Sequence, residues 1–70
     1  MDRASLRQHL ADIDVHIADG ERHILKQERM VADLDEDGHD TKDALAILET
    51  LRETRALHIQ RRDLLLRQLD

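Results

Sequence analysis

No cysteine, proline or aromatic residue occurs in this 70-residue chain, and only two glycines do. Each absence excludes something. Without cysteine there is no disulfide and no thiolate-bound metal, while a cytosolic home stays open. Without proline nothing interrupts a long helix. Without aromatic side chains, a short helical chain has little from which to build a closed substrate pocket. No apolar run approaches the roughly 20 residues of a membrane span. Met1-Asp2-Arg3 leads into no apolar stretch, so no signal peptide is expected. The expectations are a cytoplasmic protein with no membrane contact, no cofactor and no enzymatic activity.

What is present is charge and leucine. Charged residues make up 39% of the chain, the composition of a solvated helix or coiled coil. The net charge of −5 is concentrated in one place. Residues 33–43 carry Lys42 against Asp33, Asp35, Glu36, Asp37, Asp40 and Asp43. The arginines near the two chain ends (Arg3, Arg7, Arg61, Arg62, Arg67) are mixed with Asp2, Asp63 and Asp70. An acidic tip and a mixed opposite end argue against nucleic-acid binding.

The acidic stretch divides the chain. Gly38 follows an apolar-periodic run, and glycine accepts the left-handed conformation that commonly closes a helix. Asp40 offers a carboxylate to the free N–H groups of a following helix, and Asp43 suits that helix's first turn. The predicted organisation is one domain over residues 1–70, with a helix at about 2–36, a turn at 37–40 and a helix at about 41–69. The first helix starts at Asp2 or at Ser5, where Ser5-Leu6-Arg7-Gln8 fits a capping box.

Leu6, Leu10, Ile13, Ile17, Gly20, Ile24, Gln27, Val31 and Leu34 alternate spacings of four and three, the heptad signature. The second half repeats it with Thr41, Ala44, Leu48, Leu51, Arg55, His58, Arg62, Leu65 and Leu69. If Leu34 faces Thr41, each seam member meets one from the other helix, Ile17 facing His58 and Gly20 facing Arg55. In that register the missing side chain of Gly20 leaves room for the Arg55 stem. A neighbouring stripe (Ile47, Leu51, Thr54, His58, Arg61, Leu65) fits almost as well and stays open. The fold class is therefore all-α, an antiparallel helical hairpin. Apolar residues off the seam (Val15, Leu25, Met30, Ile47, Leu57, Leu64, Leu66) call for a second partner, and a homodimer forming a four-helix bundle supplies one.

Gly20-Glu21-Arg22-His23-Ile24, Val31-Ala32-x-Leu34, Gly38-His39-Asp40-Thr41 and His58 with Arg62 and Leu65 form a pattern across nearly the whole chain. It resembles a group of short proteobacterial helical-hairpin proteins that carry no assigned activity. The resemblance implies a bacterial cytoplasmic origin and no site residues.

Candidate chemistry is sparse. Asp33-x-Asp35-x-Asp37-Gly38 matches the first half of a calcium loop, but its twelfth position is Ala44 where a bidentate Glu belongs. A di-iron bundle needs Glu-x-x-His pairs within helices, and the one instance, Glu36 to His39, is broken by Gly38. His9, His16 and His23 recur every seven residues. They rise about 10.5 Å apart, too far for one ion. His16 and His58 across the hairpin are the pair able to share a metal or respond together to pH, with a third ligand undefined. Gly20, Gln27, Arg55, His58 and Arg62 form a polar belt. Such groups fix register at a cost in stability; alternatively Arg55 and Arg62 are fork donors for an anion. The function expected on balance is protein–protein interaction by a small structural or adaptor protein, with the His16/His58 module and the Arg55/Arg62 anion site as rivals.

Overall fold

The computed structural model describes residues 2–69. Asp70, counted above with the arginine-bearing end, lies outside them. Helix α1 spans Arg3–Glu36 and helix α2 spans Lys42–Leu69. They fold back on each other as a hairpin of 53 × 14 × 14 Å. The long dimension is that of α1, since 34 residues at about 1.5 Å each give about 51 Å. Among the described residues no helix is long and apolar enough to cross a membrane.

Asp2 starts α1. Its carboxylate accepts from the Ser5 N–H at 2.7 Å, satisfying a donor that the first helical turn leaves free. The capping-box alternative at Ser5 does not form: Ser5 is already inside the helix, and Gln8 donates to Asp12 instead. Asp2 wins because the helix can extend one turn further while still finding an acceptor for its leading N–H groups.

The far end of α1 has acids and no base in its last turn, which opposes the helix dipole. Geometry closes it nonetheless. Gly38 takes φ +77°. The His39 N–H then donates to the Leu34 carbonyl at 2.8 Å and the Gly38 N–H to the Asp35 carbonyl at 3.1 Å. This is a Schellman closure, and it satisfies two carbonyls the helix would otherwise leave unpaired. Asp40 is used as expected, but one position earlier. Its carboxylate accepts from the Lys42 N–H at 3.0 Å, while the Thr41 carbonyl accepts the first helical bond, from Leu45, at 2.8 Å. Thr41 therefore holds the cap position and Asp40 supports it from outside, as an Asp side chain does in an Asx turn.

The seam between the helices is the one expected from the heptads. Leu6, Leu10, Ile17, Ile24 and Gln27 of α1 and Ala44, Leu48 and Leu65 of α2 are buried. The remaining seam positions are half-buried, Arg55, His58 and Arg62 among them. The neighbouring stripe is not used as a core: Ile47, Thr54 and Arg61 are exposed. Leu6, Leu10 and Leu65, with Ile13 and Leu69, form an apolar cluster at the open end of the hairpin.

Two flanks border this seam. On one lie His9, His16, His23 and Met30 of α1 beside Ile47, Thr54 and Arg61 of α2. On the other lie Asp14, Glu21, Glu28 and Asp35 of α1 beside Leu45, Arg52, Ile59 and Leu66 of α2. Glu28 and Arg52 pair there at 3.2 Å, an exposed contact of small energetic weight.

The Asp2 cap has a pH signature. Accepting from the Ser5 backbone N–H holds the Asp2 carboxyl below its ordinary 3.8, because the bond favours the ionised form. A folded value below the unfolded one means that the cap's contribution is present above pH 3.8 and is lost as pH falls through the lower folded value. A carbon-detected NMR titration should place the Asp2 midpoint below 3.8, with the Ser5 amide shift following the same curve. An Asp2 midpoint at or above the ordinary value would show that this cap is not held in solution.

Candidate functional site

Midway along the hairpin the apolar seam gives way to polar side chains, because α2 places Arg55, His58 and Arg62 at consecutive seam positions. Opposite them α1 supplies Ile17, Gly20 and the flanking histidines. The result is an open groove of about 270 Å³ whose walls include His16, Asp19, Gly20, His23, Arg55 and His58. The His16 and His58 rings approach to 5.7 Å between centroids, tilted by 32°. Heptad pairing set His58 opposite Ile17; the structure stacks it toward His16, one residue away, where a ring finds another ring beside the seam. His23 and Asp19 enter the same groove because each lies within two helical turns of His16 on one side of α1. The sevenfold spacing of the histidines carried that signal, but it marked a line along the helix and not which members share a recess.

Gly20 does not serve the purpose expected of it. A Cβ built at Gly20 meets nothing within 4 Å, so the Arg55 stem does not depend on its absence. The groove stays open at this level. Arg55 and Arg62 do not converge either. Arg62 leans to its neighbour Asp63 at 3.4 Å, while Arg55 lines the groove. Two seam arginines a full heptad apart cannot form one fork, since seven residues rise about 10.5 Å.

Gln27 is the belt member with a defined bond. Its side chain is buried and its Nε2 donates to the Ala44 carbonyl at 2.9 Å. That ties α1 to the first turn of α2. A buried amide with a partner stabilises modestly, but leaving its partner's position wrong is costly, so the bond resists sliding of one helix along the other. Ala44 stands one turn closer to the hairpin tip than Leu48, which the heptad register sets opposite Gln27. The long Gln27 side chain reaches the backbone there, which heptad pairing does not anticipate.

Among the described residues no group of three or more His, Asp or Glu is placed to hold a metal ion. His16 and His58 supply two ligands where zinc takes four. Fold and site together define a two-helix hairpin with a polar, histidine-lined belt. No family model, curated protein or solved structure matches the chain.

Two substitution tests follow from this geometry. Gly20→Ala should raise the melting temperature, by an amount reflecting up to about 1 kcal/mol of helix propensity, because the added methyl meets nothing. Gly38→Ala should lower it by a comparable amount, since φ +77° strains any residue with a Cβ. Thermal melts followed by circular dichroism distinguish the two, and a shared sign would contradict one geometry or the other. Gln27→Met keeps the length and removes the bond to Ala44. It should cost about 0.5–1.5 kcal/mol, and hydrogen exchange of the first turn of α2 should accelerate. Unchanged exchange would mean that the bond does not hold the turn.

Proposed function

We propose that this chain is a small structural or adaptor protein of the bacterial cytoplasm that acts through protein–protein interaction as a homodimer, its two hairpins packed as an antiparallel four-helix bundle. One observation carries the reading. Eight large apolar side chains stay exposed, from Leu45 at 48% and Leu66 at 45% to Leu57 at 64% and Leu25 at 67%. Meanwhile no side chain among the described residues is fully buried. Two helices sharing one seam remove too little apolar surface from water to offset the ordering of so many residues. A second hairpin covers that surface and adds the missing layer.

A second reading is favoured by the approach of His16 to His58: a module that responds to metal or pH through this pair. An anion site built on Arg55 and Arg62 finds no such support, since Arg62 turns to Asp63.

Sedimentation equilibrium tests the main reading. The expected mass is twice the 8.2 kDa of the chain, with a melting temperature that rises with protein concentration. A concentration-independent monomer overturns it. For the second reading, zinc should raise the melting temperature of the parent and leave His58→Leu unmoved.

A further inference from the structure

We propose that the histidine-bearing flank of the hairpin is the surface on which a second copy of this chain packs, and that the association weakens in acid. The inference rests on the homodimeric reading and adds which face is used and what controls it.

Charge separates the two flanks. On the acidic flank, Asp14, Glu21, Glu28 and Asp35 stand between the seam and anything that docks there. Two copies meeting through that flank bring four carboxylates each against two bases, Arg7 and Arg52, of which Arg52 already pairs with Glu28, so most of the acids meet one another or are buried against Leu45, Ile59 and Leu66. Both arrangements are costly, through like-charge repulsion or through desolvation of unpaired ions. On the histidine flank, α1 offers three imidazoles and a methionine at the same heptad positions, with no carboxylate among them. Across the seam α2 offers Ile47, Thr54 and Arg61. Leu57 and Leu64, both at least half exposed, border this flank. At neutral pH its charged members are Arg61 and, at the groove, Arg55 and Asp19; it is edged with apolar side chains and recessed along the groove at His16 and His58. Burying it against its own copy draws in fewer carboxylates than the other flank does: Asp19, which lines the groove, and Asp12 one heptad before it.

The same composition makes the face sensitive to acid. Histidine ordinarily titrates between neutral pH and pH 5.5, while carboxylates remain ionised there. Protonating His9, His16, His23 and His58 adds positive charge beside Lys26, Arg55, Arg61 and Arg62. Asp12 and Asp19 are the acids of α1 that adjoin these histidines. A second copy carries the same set, so the charges of two faces confront one another.

The test measures dimer dissociation by analytical ultracentrifugation. Ile47→Lys/Thr54→Lys on the histidine flank should weaken the dimer at least about hundredfold, since a second copy sets the added positive charges against one another and against Arg61, and like-charge juxtaposition costs several kcal/mol. Leu45→Glu/Leu66→Glu on the acidic flank should change it less than about threefold. Lowering the pH from 7.5 to 5.5 should weaken the parent at least about tenfold, one unit of the affinity scale being 1.4 kcal/mol, and the triple change of His9, His16 and His23 to Gln should reduce that response. Should a charged variant fail to fold, the cysteine-free chain permits single spin labels at Thr54→Cys or Arg52→Cys. The distance between copies should be shorter at position 54. A dimer lost on the acidic flank, or a shorter distance at position 52, overturns the choice of face while sparing the dimer. A parent dimer equally tight at both pH values overturns acid control. A monomer throughout overturns the dimeric reading and this inference together.

Discussion

Everything in this molecule depends on one strip of side chains between two long helices. Seven apolar residues and Gln27 make up its buried part, spread over a hairpin 53 Å long and 14 Å across. A strip of that width has no second layer behind it. Every seam residue borders solvent on one flank or the other, which is why even the best-buried positions, Leu6, Ile24 and Leu48, retain 4% of their surface. Side-chain packing in such a strip cannot by itself choose between registers one turn apart, because leucine against isoleucine packs much the same after a shift.

Register is therefore held by features other than apolar fit. The closed turn holds one end: the left-handed Gly38 and the paired carbonyls of Leu34 and Asp35 set the exit of α1, and Asp40 with Thr41 sets the entry of α2. Gln27 holds the next level through its bond to Ala44. Further along, the polar belt removes apolar alternatives, since a shift would press Arg55 or Arg62 against the leucine cluster at the open end. A costly polar middle between two apolar ends thus contributes specificity to a seam that has little of its own.

The same thinness explains the groove. Where arginine and histidine replace leucine, the helices do not close over Gly20, and a recess opens between the histidine line of α1 and the belt of α2. In a globular domain a third element would cover such a recess. Here the flank stays bare, next to exposed Ile47, Leu57 and Leu64. The proposed second copy would cover that surface.

By itself the sequence determined the two helices, the turn and the seam. The alternation of four and three over nine positions in each half leaves one face for the partner helix, and every seam position named from it is buried or half-buried. Gly38 and Asp40 announced the turn because their conformational and hydrogen-bonding abilities are local. What periodicity could not supply was anything that depends on how far side chains reach. Whether α1 began at Asp2 or Ser5 turned on one carboxylate finding one N–H. That Gln27 bonds the backbone of Ala44, that the His58 ring approaches that of His16, and that Gly20 borders empty space are matters of side-chain length and placement. Heptad letters record direction around a helix and say nothing of the gap across it. The tertiary structure alone decided those contacts, because the long side chains at the polar middle of the seam choose among partners that direction around a helix does not rank.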